Sequence, residues 1–284
     1  MFPDLIEKLT RREDLTVDEA SAAMAEVMEG RAAPAQIAGL LIGLAMKGER
    51  PAEIVGLAKT MRAHAVQLSK RSGTGETVFD TCGTGGDRSG TFNISSCAAI
   101  VVAACGVKVA KHGNRSVSSR SGSADVFQAL GVNVTAAPAV VERCLAEAGI
   151  GFFFAPTFHP SMRHAAQARR ELGVRTAFNL LGPLTNPAGA TRQLVGVPKA
   201  APQALKGGDA RENAAIIQSV LAGARGPARD VALLNTGAAL FIAGAASSVE
   251  DGIARGSQAL DRGEAKRTLD RLVAVSTAEF AAEA

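Results

Sequence analysis

The stretch that decides the fold reads Val78-Phe79-Asp80-Thr81-Cys82-Gly83-Thr84-Gly85-Gly86-Asp87-Arg88-Ser89-Gly90-Thr91-Phe92-Asn93-Ile94-Ser95-Ser96. A short apolar strand, Val78-Phe79, runs into a loop dominated by glycine and small hydroxyls, and a helical pattern follows through Val101. The same sequence of events then recurs. Val107 to Ala110 reads as a second strand, Lys111 to Ser123 as a second polar loop, and a helix continues through Phe127 and Leu130. Val132 to Val134 reads as a further strand, Val140 to Ala148 as a helix, and Gly151 to Phe154 as the next strand. Strands alternating with helices predict an α/β fold with a mostly parallel central sheet flanked by helices.

Upstream, the first seventy residues read as helices. Thr16 and Glu19 form a capping box, and Ala20, Ala23, Met24, Val27 and Met28 then fall on one helical face, which Gly30 ends. Pro34 suits the first turn of a helix through Ile37, Leu40, Leu41, Leu44 and Ala45, and Pro51 that of another ending before Ser69. The helix begun by Pro34 is apolar almost all round, so it is wrapped by its own domain or buried in a subunit contact. Ser72 to Gly75 reads as a hinge. Downstream, Met162 to Leu172 reads as helix, and Leu181-Gly182-Pro183-Leu184-Thr185-Asn186-Pro187 as punctuation. The tail from Asp209 to Ala284 is helix-rich, with one apolar helix through Val231 to Ala245 in which Asn235 and Thr236 are satisfied polar groups.

The chain has 284 residues, 47% hydrophobic and 20% charged, which excludes a disordered chain, a collagen and a disulfide-stapled mini-protein. A net charge of +4 permits anionic small substrates without indicating nucleic acid, and the absence of Trp and Tyr argues against a base-stacking platform. Cys82, Cys97, Cys105 and Cys144 show no C-x-x-C spacing and read as reduced, buried small hydrophobes of a cytoplasmic protein. Met1 to Leu15 carries both signs of charge and no signal-like apolar core. The longest uncharged apolar run, Cys97 to Val107, falls well short of a membrane span.

Both loops carry phosphate chemistry. The first follows a strand and opens a helix, so its N–H groups can converge on an anion at a positive helix end. It is not a dinucleotide fingerprint, because Arg88 stands where a third glycine belongs; nor is it a Walker loop, because Thr91 replaces the lysine. Ser95 and Asp87 can serve a hard cation through oxygen or cap the helix. The second loop, Lys111-His112-Gly113-Asn114-Arg115-Ser116-Val117-Ser118-Ser119-Arg120-Ser121-Gly122-Ser123, offers three fixed cations, several hydroxyls and bare backbone. Taken alone, each loop is also compatible with a plain turn or a solvated basic loop. His112 is a candidate proton relay or substrate contact. His159 and His164 do not match a zinc pair, and no catalytic triad follows from spacing.

The strings Cys82 to Asp87, Asn93 to Ser96, Lys111 to Ser116 and Gly182 to Pro187 resemble those of the anthranilate phosphoribosyltransferase family, as do Gly207-Gly208-Asp209 through Asn213-Ala214-Ala215 and Leu233-Leu234-Asn235. The resemblance implies a small N-terminal α-helical domain, residues 1–70 joined by part of about 162–190, plus a larger α/β domain, residues 75–160 and 191–284. It implies substrates meeting in the cleft between the two, a homodimer through the helical domain, and transfer of a phosphoribosyl group from phosphoribosyl pyrophosphate (PRPP) to anthranilate, with Mg2+. By position, PRPP contacts fall to Gly83, Gly86, Asp87, Thr91, Asn93, Ile94, Ser95 and Ser96, and to Lys111, His112, Gly113, Asn114, Arg115, Ser116, Val117, Ser118, Ser119 and Ser123. Ser95 is the implied metal ligand; Gly83, Asn114 and Arg169 are the implied anthranilate contacts, Arg169 facing the carboxylate.

One departure stands out. After Gln193 to Pro198 the family continues for several dozen residues, carrying an Asp-Glu pair that ligates magnesium, whereas here only Lys199 to Lys206 precedes Gly207. The α/β domain is thus shortened near 199–206, and the sole Asp-Glu dipeptide is Asp18-Glu19 in a helix cap. The sequence therefore leaves two main readings: an active transferase, or an impaired homologue that holds PRPP without turning it over. A nucleic-acid-binding relative and a nucleoside phosphorylase of the same architecture rank below them.

Overall fold

The computed structural model describes residues 1–68, 78–83, 90–116, 120–196 and 203–278. The chain divides into two compact units, Met1–Gln67 with Ala155–Pro187, and Leu68–Phe154 with Ala188–Ala284. The Ser72 to Gly75 stretch expected as a hinge lies outside the described residues.

The first unit opens with α1 (Phe2–Thr10), within the stretch read as helical but without bounds given to it there, then α2 (Val17–Met28), α3 (Pro34–Lys47) and α4 (Pro51–Ala63). The capping box of α2 is formed: Glu19 N donates to Thr16 Oγ1 at 3.1 Å, and Thr16 N donates to Glu19 Oε2 at 2.8 Å. α1 explains the all-round apolarity of α3. It packs on Gly39 and Gly43, where an added Cβ would lie 3.0 Å from Ile6 Cδ1 and from Leu9 Cβ, so two glycines one turn apart form the groove that admits it. Lys47 and Glu53 pair almost wholly buried, and Glu53 also accepts from the Leu15 and Arg50 amides at 2.8 Å. Each buried charge is thereby matched, which the interior requires.

The second unit supplies β1 (Val78–Gly83), α5 (Ile94–Ala104), β2 (Lys108–Gly113), α6 (Ser123–Ala129), α7 (Pro138–Glu147) and β3 (Ile150–Phe154). The chain then returns to the first unit for α8 (Ala155–Phe158), α9 (Arg163–Leu172) and α10 (Ala177–Leu184). The helix α10 carries Pro183 inside its last turn, so Leu181 to Leu184 is helical where the sequence reading expected punctuation; Thr185 Oγ1 bonds the Leu181 carbonyl at 2.8 Å and closes that end. β4 (Arg192–Gly196), α11 (Ala210–Leu221), α12 (Pro227–Ile242), α13 (Val249–Asp261) and α14 (Glu264–Thr277) complete the second unit.

Among the described residues the sheet has four strands, all parallel, in the order β3-β2-β1-β4. The expected α/β class is thus borne out. Val132 to Val134 is not a strand. Asn133 Oδ1 there accepts from Thr135 N and Oγ1, and Asn133 N donates to Ser276 Oγ on α14 at 3.1 Å, so the segment is held as a turn against a helix. α5 is apolar on every face and lies between the sheet and α12, α13 and α14, with Cys97 through Val102 fully buried. Within α12, Asn235 and Thr236 bond the Val231 and Ala232 carbonyls at 2.8 Å, as satisfied polar groups. α12 is pinned to α13 by Arg229, 1% exposed, whose Nη2 reaches Asp261 Oδ1 at 2.7 Å and Ser257 Oγ at 2.9 Å.

Candidate active site

The strand order decides where a ligand belongs. From β1 the chain moves outward through β2 to β3, then returns to place β4 on the other flank of β1. The carboxyl end of β1 is therefore a topological switch point, the crevice that open parallel sheets use for binding. The first loop leaves β1 at Gly83 and the second leaves its parallel neighbour β2 at Gly113, so both open at the same margin of the sheet. Lys111, His112 and Gly113, expected in the loop, are the last residues of β2.

Between the strands lies a buried carboxylate to which the sequence reading gave no role. Asp80 accepts from His112 N at 3.3 Å and from Gln193 Nε2 at 3.1 Å, joining β1 to both neighbours just below the loops. A charged residue inside an apolar strand was its visible signal. Thr81 Oγ1 donates to the Ser95 carbonyl at 2.7 Å, tying the strand that enters the first loop to the helix that leaves it. Lys111 is buried, with its ammonium on the His112 carbonyl at 3.1 Å and further N–H donors to spare. His112 lies beside it, also buried.

At the start of α5, Asn93 and Ser95 are half-buried, while Ser96 Oγ is buried without a hydrogen-bond partner among the described residues. The hydroxyls are oxygen donors of the kind a hard cation takes. Among the described residues no group of three His, Cys, Asp or Glu side chains could hold a metal. The site thus fits magnesium in donor type, with Ser95 the candidate, and the acidic pair that the resemblance implies has no counterpart there among the described residues. Gly86, Asp87, Val117, Ser118 and Ser119 lie outside the described residues.

The second loop is knotted by Asp125 of α6. Its carboxylate accepts from Ser116 N at 3.1 Å, Gly122 N at 2.9 Å and Arg115 Nη1 at 2.9 Å. Burial opposes its charge, yet those amides and the guanidinium hold its pKa below the usual carboxylate value. Arg115 also donates to Gln128 Oε1 at 2.8 Å and sits over the Phe154 ring, so its guanidinium is committed to holding the loop. Ser123 Oγ and Ala124 N both address the Asn114 carbonyl, at 3.5 and 3.2 Å. Gly113 carries no side chain for a steric reason: a Cβ there would lie 2.2 Å from Ser123 Oγ and 2.8 Å from Phe152 Cζ.

Burial pushes the Cys82 thiol up to about 12, with Asp80 acting in the same direction. Cys97 likewise rises to about 12 by burial, and Cys105 and Cys144 to about 11, so all four cysteines are protonated and non-nucleophilic near neutrality. In the helical unit, Arg169 of α9 is half-buried over the Phe178 ring at 5.8 Å, and burial lowers its pKa. No carboxylate pairs with it among the described residues, so it offers a forked donor beside an aromatic face. His159 is buried with Nε2 on the Thr185 carbonyl at 2.9 Å, and His64 half-buried at the end of α4 with Nδ1 on the Thr60 carbonyl at 2.9 Å.

Comparison with known proteins places this arrangement. Residues 3–65 match the helical bundle domain of the glycosyl transferase family, and residues 75–201 and 198–266 match its a/b domain. The two pieces of the second match meet at 198–201, where the sequence shows its shortened connection. The anthranilate phosphoribosyltransferase of Syntrophobacter fumaroxidans is 44% identical, over 96% of this chain and 98% of that protein. That of Thermomicrobium roseum is 42% identical over 347 aligned positions that take in 100% of this 284-residue chain, so at least 63 positions of the alignment face a gap here. The crystal structure of the Thermus thermophilus enzyme superposes with a TM-score of 0.88 at 40% identity, covering 97% of this chain and 100% of that one. A Saccharomyces cerevisiae anthranilate phosphoribosyltransferase, solved in complex with PRPP and Mg, shares the fold at a TM-score of 0.86 and 21% identity over 97% of this chain and 98% of that one. With this identity across nearly its whole length, and with both loops on adjacent strands of the same parallel sheet, the chain belongs to the anthranilate phosphoribosyltransferase family.

Proposed function

We propose that the chain acts in tryptophan biosynthesis by joining anthranilate to the phosphoribosyl group of PRPP. The anthranilate nitrogen forms a bond to C1′ as the C1′–oxygen bond to pyrophosphate breaks; the amine loses a proton and phosphoribosyl anthranilate results. One observation carries the reading: the two donor-rich loops open side by side from the carboxyl ends of β1 and β2, at the switch point of the sheet.

In this reading Gly83, Thr91, Asn93, Ile94, Ser95 and Ser96 take PRPP from the first loop, with Gly86 and Asp87. Lys111, His112, Gly113, Asn114, Arg115, Ser116 and Ser123 take it from the second, with Val117, Ser118 and Ser119. Lys111 contributes a buried ammonium with N–H donors to spare, and Arg115 serves by holding the loop. An aromatic amine attacking a cation-like C1′ needs no strong base, so the residues chiefly orient the reactants and offset charge on the leaving group. Gly83, Asn114 and Arg169 take anthranilate. The support for Arg169 is its unpaired guanidinium stacked on Phe178, which suits the carboxylate of an aromatic acid.

Mg2+ is the proposed cofactor, with Ser95 as the residue that would hold it. Bound to the pyrophosphate, it neutralises the leaving group. The shortened connection favours a second reading, in which PRPP is held and not turned over. Cytoplasmic location is supported by four free cysteines and by the lack, among described residues, of any helix able to cross a membrane. A homodimer through the helical unit is supported by Met46 and Val55, exposed apolar residues on α3 and α4.

Loss of anthranilate fluorescence on adding PRPP and magnesium tests the transferase reading. Calorimetric PRPP binding with no product identifies the holding homologue. Absence of both turnover and binding in folded protein overturns the two together.

A further inference from the structure

Asn213 lies on α11 with 2% of its surface exposed, and the direction of its side-chain amide is fixed by the backbone around it. Gly208 N–H points at Asn213 Oδ1 at 2.8 Å. A backbone N–H can only donate, so that atom is the oxygen. The amide nitrogen then faces the other way, where it reaches Asn93 Oδ1 at 2.9 Å and the Gly208 carbonyl at 3.3 Å. Asn93 must in turn offer its oxygen to Asn213, which sends its nitrogen toward the Ser121 carbonyl, at a long 3.5 Å. The result is a one-way chain of donors. It starts in the segment after the shortened connection, passes through the residue before α5, and ends at the close of the second loop.

The same region is braced by the backbone. Phe92 N donates to the Leu205 carbonyl at 3.1 Å, Gly207 N donates to the Gly90 carbonyl at 2.7 Å, and Thr91 bridges Lys206 antiparallel. A Cβ on Gly207 would lie 2.6 Å from both Phe92 N and Asn213 Oδ1, so only glycine lets the two strands of this clamp close.

We propose that Asn213 is a positioning residue for phosphoribosyl transfer, which fixes the Asn93 amide with its N–H side turned toward the second loop. This rests on the reading of Asn93 as a PRPP contact. Phosphate oxygens only accept hydrogen bonds, so an Asn93 turned the other way would present oxygen to oxygen. Because the Asn93–Ser121 contact is long, the amide keeps donor capacity for an incoming anion.

Asn213→Asp tests this, because it keeps an oxygen for Gly208 N but places an acceptor against Asn93 Oδ1, and Asn93 then turns over. Calorimetry with PRPP and magnesium is expected to show affinity about tenfold or more weaker, the scale of one hydrogen bond to a charged acceptor. Affinity for anthranilate should stay close to wild type, and binding is measured well below the melting temperature, which the buried carboxylate lowers. Asn213→Ala, which merely frees Asn93, should weaken PRPP binding less than the isosteric Asp does. A residue that only supports the fold gives the opposite order, and that order, or wild-type PRPP affinity in Asn213→Asp, overturns the proposal. Where a variant does not fold, the wild-type protein still decides: side-chain amide NMR should show the Asn213 amide, whose nitrogen donates to Asn93 Oδ1, slowed in exchange and shifted from free values, and a freely exchanging Asn213 pair overturns the relay. A wild type that binds no PRPP defeats the functional reading separately, whatever the NMR shows.

Discussion

Replacing Asp125 offers the sharpest test of how the second loop is built. Its carboxylate receives two backbone amides and one guanidinium, all within 2.9–3.1 Å. Hydrogen bonds to a charged group contribute about 1.5–3 kcal/mol each, and the partial exposure of this carboxylate puts both amides at the low end. The Arg115 pair is half-exposed and adds at most about 1 kcal/mol. Asp125→Ala should therefore cost about 3 kcal/mol, and Asp125→Asn, which keeps one neutral acceptor, about half that. For a unit of this size that is a fall in Tm of roughly 6–12 °C for the alanine variant. Linkage supplies a second check. The folded-state pKa of Asp125 lies below its ordinary 3.8, so its contribution is complete above that value and disappears as pH falls through the folded pKa. Urea titrations of wild type and Asp125→Asn should thus diverge at pH 7 and converge in acid. A loss under about 0.5 kcal/mol at pH 7, or a gap that persists unchanged at low pH, refutes the knot.

Arg169→Ala should weaken anthranilate binding at least tenfold, a charge-assisted contact, while leaving PRPP affinity near wild type; equal losses in calorimetry count against its role. Asp80→Ala leaves the His112 amide and the Gln193 side chain without their shared acceptor in the buried sheet, and urea unfolding should record a loss of about 2–4 kcal/mol. Gly207→Ala forces its Cβ onto backbone atoms of Phe92, and a cost of about 1–3 kcal/mol with weakened PRPP binding is expected; an unchanged variant would show that the clamp is looser than drawn. Glu53→Ala orphans two amides beside Lys47, which keeps Asp14 Oδ1 at 2.7 Å, and denaturant titration should show about 2–4 kcal/mol lost.

β1, β2 and β3 were legible because each carries a short apolar run and is followed by a helical period, as at Val78 and Val107; β4 was not read, because Arg192 and Gln193 break its apolar signal. Val132 to Val134 imitates that signal, and only the Asn133 side chain, which captures the Thr135 amide, makes it a turn. α1 fell in the stretch read as helical, but its bounds and buried face went unmarked because charges separate Phe2, Leu5 and Leu9, which bury against the rest of the unit. Proline misled at α10, where Pro183 sits in a last turn that tolerates it. Within the candidate site, the loops announced themselves by composition. The pairings of Asp80 with His112 and of Asn213 with Asn93 did not, because those partners are 32 and 120 residues distant and nothing local marks the pairing.

The route of the chain after β4 has a consequence for what this protein can teach. Having left the sheet margin at Gly196, it is back against Phe92 by Leu205, and among the described residues β4 pairs with β1 alone. The described parallel sheet is thus complete as four strands despite the gap that the Thermomicrobium roseum alignment leaves in this chain. Turnover by this chain, or PRPP binding without it, decides whether the longer connection of relatives serves the scaffold or the reaction.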